Sequence, residues 1–125
     1  MADTFTTDLK EFIGRYIHSV AQLEILLMLR SEPRRSWTPQ EVTQKLYLQV
    51  EMTSQLLEEI VQRGLATKTE NGFYYRPISD LDRDAIDRLA QIYQERRVAV
   101  IAEIFSKPKD SLRAFADAFR MRREV

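Results

Sequence analysis

Apolar residues recur at spacings of three and four through Phe5, Leu9, Phe12, Ile13, Tyr16 and Ile17, which predicts an amphipathic first helix. Thr6 or Thr7 is placed to cap its start. Ser19, with Gln22 three residues on, has the form of a capping box. It opens a more apolar helix over residues 20–30 that carries Val20, Leu23, Leu26, Leu27 and Leu29. Glu32-Pro33 ends that helix, because a proline ring disfavours helical backbone at the residue before it. Thr38-Pro39-Gln40-Glu41 is the clearest helix start in the chain. Thr38 caps, Pro39 occupies the first turn where no N–H is needed, and Glu41 closes the box. This short helix is predicted to reach about Leu46 and to bury Val42 and Leu46, with Trp37 as a hydrophobic staple or core anchor just before its cap.

A further helix after residues 47–50 sets Thr53, Leu56, Leu57, Ile60 and Val61 on its inner side, and Gly64 follows as a natural left-handed terminator. The period then changes. Residues 65–70 and 73–76 flank Asn71-Gly72, a strong hairpin signal. Tyr74 and Tyr75 alternate, so one is expected to face in and the other out. Pro77 closes the second strand. Ser79 or Asp80 begins a long helical stretch to about Phe105, carrying Leu81, Ile86, Leu89, Tyr93, Val100, Ile104 and Phe105. Ser106-Lys107-Pro108 breaks it, and a last amphipathic helix carries Leu112, Phe115, Ala116 and Phe119. There is no internal repeat. The expected organisation is a helix over 1–18 packed on a domain at 19–77, followed by a helical extension over 78–125.

Composition narrows the chemistry. The chain has 125 residues, 44% hydrophobic and 30% charged, enough for one domain with a core of its own. Nineteen Lys and Arg balance nineteen Asp and Glu, which excludes a polycation that holds nucleic acid by bulk charge. With no Cys there are no disulfides, thiolate metal sites or cysteine nucleophiles, and the single His18 cannot build a histidine zinc site. Three scattered glycines leave no phosphate-cradling loop. Carboxylates such as Glu58 and Glu59 sit on adjacent rather than facing helix positions, and no nucleophile–base set is readable, so neither enzyme activity nor a cofactor is expected. The polar, acidic start and the absence of a long apolar run point to a cytoplasmic protein with no membrane partner.

A helix, a short capped helix, a helix ending in Arg63-Gly64-Leu65 and then an Asn-Gly hairpin together resemble a winged helix-turn-helix domain. The resemblance is closest over LLEEIVQRGLATKTENGFYYRP, residues 56–77. The chain is similar in this to the small bacterial transcription regulators called MarR-like, which often add a long dimerising helix. The fold expected is mostly α with a small β-hairpin: a winged helix-turn-helix plus an N-terminal helix and long C-terminal helices. The resemblance implies a recognition helix in the major groove of double-stranded DNA and a wing on phosphate or minor groove. Carried over residue by residue, the groove-facing positions are Glu51, Ser54, Gln55, Glu58 and Gln62. The wing positions are Lys68, Thr69, Asn71 and Arg76, and Arg34 and Arg35 would pin a phosphate. Gln55 suits adenine, since its amide both donates and accepts.

Charge complicates that implication. Residues 51–63 hold Glu51, Glu58 and Glu59 against Arg63 alone, whereas DNA affinity comes largely from phosphate neutralisation. Residues 34–76 hold six basic side chains (Arg34, Arg35, Lys45, Arg63, Lys68, Arg76) against five acidic ones (Glu41, Glu51, Glu58, Glu59, Glu70). Two functions are therefore kept open: a sequence-specific DNA-binding regulator, and a winged-helix module that meets a basic protein partner through its acidic helix. The surplus of apolar residues after Pro77 suggests a homodimer through Leu89, Tyr93, Val100, Ile104, Phe105, Phe115 and Phe119. The alternative is that these helices fold back on the first helix.

Overall fold

The computed structural model describes residues 6–106. Six helices and one hairpin follow in the order α1 (Thr7–Tyr16), α2 (Val20–Ser31), α3 (Pro39–Leu46), α4 (Val50–Gln62), β1 (Ala66–Thr69), β2 (Gly72–Tyr75), α5 (Asp80–Glu95) and α6 (Arg97–Phe105). The most apolar of the early helices, α2, is central. It packs on α3, α4 and β2, while α1 packs on α5 and α6. Leu23, Ile25, Leu26 and Leu29 of α2 are buried together with Leu9, Ile13, Leu57, Ile60, Ile86 and Leu89 in one core.

The corner between α1 and α2 is held by Gln22, which is fully buried. Ser19 Oγ accepts from the Gln22 N–H at 3.1 Å, as a capping residue should. The Gln22 side chain departs from the expected box and reaches one residue further back. Its Oε1 accepts from the His18 N–H at 2.8 Å, and its Nε2 donates to the Tyr16 carbonyl at 3.0 Å. Gln22→Leu therefore leaves two backbone groups unpaired at a closed corner. At ~1–3 kcal/mol per orphaned group, a loss of about 2–6 kcal/mol is expected, read as a lower urea midpoint with unchanged slope. An unchanged midpoint would show that the corner stands without these bonds.

At the start of α3 the full capping box is present. Thr38 Oγ1 accepts from the Glu41 N–H at 3.2 Å, and Glu41 Oε1 accepts from the Thr38 N–H at 2.9 Å. That Thr38 N–H, with the Arg35 charge nearby, holds the Glu41 carboxyl below the usual carboxylate range. α4 ends as its sequence requires. Gly64 takes φ +77°, its N–H reaches the Val61 carbonyl at 2.9 Å, and the Leu65 N–H reaches the Ile60 carbonyl at 3.1 Å, which is a Schellman motif.

The hairpin forms, but with a different turn. β1 and β2 pair antiparallel with Thr69 opposite Gly72, so the two loop residues are Glu70 and Asn71 rather than Asn71 and Gly72. Thr69 Oγ1 supports them, accepting from the Asn71 N–H and donating to the Gly72 carbonyl, each at 3.2 Å. Gly72 lies in the strand, at φ +134°. The other edge of β2 takes Trp37, whose N–H and carbonyl exchange two 2.8 Å bonds with Phe73. Tyr75 faces in and Tyr74 is half-buried. Three chain segments thus form the wing, which makes the fold a winged helix-turn-helix.

The long helix expected to run to Phe105 is broken at Arg96, whose backbone (φ −134°, ψ 55°) leaves the helical region. The apolar positions of α5 are Ala85, Ile86, Leu89, Ile92 and Tyr93, and Arg96-Arg97 interrupts their period. Restarting at Arg97 turns Val100 and Ile104 inward. A three-residue tie fixes the break. Glu24 Oε2 on α2 accepts from the Tyr93 hydroxyl at 2.9 Å and from Arg97 Nη2 at 2.8 Å. Burial, with Glu24 beside it, pushes the Tyr93 hydroxyl up to about 12.

Candidate nucleic-acid interface

Helices α3 and α4 are joined by a tight turn through Tyr47, Leu48 and Gln49. Tyr47 stands in the left-handed region (φ 56°, ψ 48°), a conformation that costs a non-glycine residue about 1–3 kcal/mol. It lets the Leu48 N–H return to the Thr43 carbonyl at 3.2 Å. The inner side of α4 is Thr53, Leu57 and Ile60, and the Thr53 hydroxyl donates to the Gln49 carbonyl at 2.8 Å. With that side fixed against α2 and α3, the helix turns Glu51, Met52, Gln55 and Gln62 to solvent and leaves Ser54, Glu58 and Glu59 half-buried.

Gln55 is thus exposed in mid-helix, with Ser54 beside it. Asn71 is exposed at the hairpin tip, and Arg76 is exposed just past β2 with its Nη1 donating to the Tyr74 hydroxyl at 3.2 Å. Lys68 crosses from β1 to α4, where its Nζ lies 2.6 Å from Glu58 Oε2. The outward side of α4 and the cation of the wing therefore share one surface. Arg34 is exposed and has no ion pair among the described residues. Arg35 is committed: its guanidinium lies 3.5 Å from the centre of the Trp37 ring and pairs with Glu41 at 3.4 Å and Glu32 at 3.7 Å.

Pairing removes much of the local charge. Among the described residues Arg35, Arg63 and Lys68 are ion-paired with Glu32 or Glu41, Glu59 and Glu58. Arg63 also donates from Nη2 to His18 Nδ1 at 3.1 Å. Within residues 34–76 the cations with no ion pair among the described residues are Arg34, Lys45 and Arg76, against the carboxylates Glu51 and Glu70.

No family model matches the sequence, and no curated protein matches it either. Among solved structures, a MarR family protein from Bacillus stearothermophilus is similar over 94% of this chain and 81% of that one, with a TM-score of 0.48 and 18% identity.

The expected interface between copies looks different once the core is known. Leu89, Tyr93, Val100 and Ile104 are buried within the chain itself, so their apolar surface is already covered. Phe105 is 78% exposed, and Phe115 and Phe119 lie outside the described residues. Val98, one face-repeat before Phe105 on α6, is exposed as well. Sequence reasoning missed Tyr47, which is 93% exposed. The signal available was an aromatic residue standing in the three-residue connection between two helices. Among the described residues, no helix is long and apolar enough to cross a membrane, and no His, Asp and Glu group is arranged to hold a metal ion.

Proposed function

We propose that the protein is a DNA-binding transcription regulator of the winged-helix type. The observation that carries this reading is the 2.6 Å contact between Lys68 and Glu58, because it sets the wing cation against the outward side of α4. A duplex that admits α4 to its major groove then meets the wing at the flanking phosphates. Gln55 and Ser54 read base edges, with Gln55 paired to adenine. Arg34, Arg76 and Lys68 neutralise phosphates, and Asn71 at the hairpin tip meets the backbone or minor groove. Three such cations give one domain few phosphate contacts. A homodimer doubles them, and Val98 and Phe105 on α6 are the exposed apolar residues offered to a second copy.

The test is binding of the purified protein to DNA upstream of its own gene, against a random duplex, at two salt concentrations. Gln55→Ala is expected to relax sequence preference. Arg76→Ala is expected to weaken every duplex alike and to reduce the salt slope by about 1. Equal effects of both variants on specific and random DNA would sink this division of labour.

A second reading rests on Glu51, Tyr47, Val50 and Met52, which expose carboxylate and apolar surface at the start of α4. That mixture suits a basic protein partner. Absence of DNA binding at low salt, together with loss of a co-purifying partner on combining Glu51→Lys with Tyr47→Ala, would favour it.

A further inference from the structure

We propose that the Glu58–Lys68 pair is an electrostatic restraint on the wing: Glu58 holds the Lys68 ammonium against α4 in the unbound protein, and duplex phosphate must take it away. The inference rests on the DNA-binding reading above. Of the three cations assigned to phosphates, neither Arg34 nor Arg76 has an ion pair among the described residues, and the Arg76 guanidinium donates to the neutral Tyr74 hydroxyl. Both reach phosphate without uncovering a charge. Lys68 differs. Its Nζ is 2.6 Å from Glu58 Oε2 and 5.5 Å from the centre of the Phe73 ring, so it lies back over the wing toward the helix.

Moving Lys68 onto phosphate uncovers a carboxylate on the face that approaches the bases. One step therefore gains a phosphate contact and adds a repulsion. Both side chains are about half exposed, and exposed pairs are weak enough for a phosphate to compete. The restraint thus lowers affinity for all duplexes without forbidding binding. It also shows how a domain can carry glutamates on a reading helix, because one of them is masked by its own wing until DNA arrives. Glu51, exposed on the same helix and without an ion pair among the described residues, supplies the internal comparison.

The experiment titrates the full chain with a random duplex over a series of salt concentrations. Glu58→Gln is expected to bind roughly fivefold tighter at ~0.1 M salt with the log–log salt slope of the parent, because Lys68 meets the same phosphate in both complexes, whereas Lys68→Met should lower that slope by about 0.9. Glu51→Gln removes the same charge without releasing a lysine and should bind less than about twofold tighter than the parent. In a Lys68→Met background, Glu58→Gln should fall to the size of the Glu51→Gln effect. Equal effects of Glu58→Gln and Glu51→Gln, or an undiminished Glu58→Gln effect when Lys68 is gone, would overturn the restraint while leaving DNA binding intact. No salt-dependent binding by the parent or any variant would instead remove the DNA-binding reading, and the restraint with it.

Discussion

Gly72→Ala is expected to detach the wing, at a cost of about 2–6 kcal/mol. A Cβ placed on Gly72 would lie 2.4 Å from the Trp37 carbonyl oxygen, 2.6 Å from its carbon and 3.1 Å from the Thr38 nitrogen. All three are backbone atoms, held by the paired Trp37–Phe73 bonds and by the Thr38 cap, so no side-chain rotation relieves the clash. The backbone at φ +134° adds strain of about 1–3 kcal/mol for any residue with a Cβ. Overpacking contributes a further ~1–3 kcal/mol. Against a total stability of ~5–15 kcal/mol for a domain, the easier escape is local: Trp37 separates from β2 and the hairpin swings out. Trp37 is the chain's single tryptophan, so the expected readout is a red-shifted emission and faster amide exchange at Trp37 and Phe73. The helical signal of α1 and α5 would persist. Native emission with unchanged melting would show that the segments can part by half an ångström at no cost.

The same glycine shows which parts of the fold the sequence could disclose. Asn71-Gly72 pointed to the hairpin, and the hairpin is there, yet the glycine serves the approach of a third segment rather than the turn. That requirement comes from Trp37, thirty-five residues earlier, and no local pattern carries it. The Thr38–Glu41 box and the Gly64 terminator were legible because all their partners lie within five residues. The break at Arg96 was harder, since the charged pair Arg96-Arg97 reads equally well as the solvated side of one long helix. Leu81 and Phe105 belong to the apolar period around that break and are nonetheless exposed.

The site divides in the same way. Exposure of Gln55 follows from helical periodicity, and that of Arg34 and Arg76 from charged residues standing in a turn and just past a strand. The commitments of Lys68 to Glu58 and of Arg35 to Trp37 do not, for they depend on how α4, β1 and the segment before α3 are brought together. Counting charges along residues 34–76 therefore described the sum correctly and the surface incorrectly. Half of the six cations are already ion-paired inside the domain.

Trp37 carries the other large effect, and two substitutions separate its ring from its N–H. Trp37 is 2% exposed, and its indole Nε1 is buried with no hydrogen-bond partner among the described residues. Trp37→Ala empties a core position and removes the surface on which Arg35 stacks, for an expected loss of about 3–5 kcal/mol. Trp37→Phe also leaves a cavity, but it deletes a donor whose unpaired burial costs ~1–3 kcal/mol. The two terms oppose each other, so the phenylalanine variant should lie within about 1–2 kcal/mol of the parent. Urea unfolding followed by far-ultraviolet circular dichroism measures both, since neither variant retains a tryptophan to report by fluorescence. A phenylalanine variant as unstable as the alanine one would mean that the indole nitrogen is not a liability and that the full width of the ring is needed. The backbone bonds of residue 37 to Phe73 survive either change. On the proposed DNA-binding reading, Trp37→Phe should bind as the parent does, whereas Trp37→Ala leaves Arg35 with Glu32 and Glu41 alone among the described residues and the wing seated on a cavity.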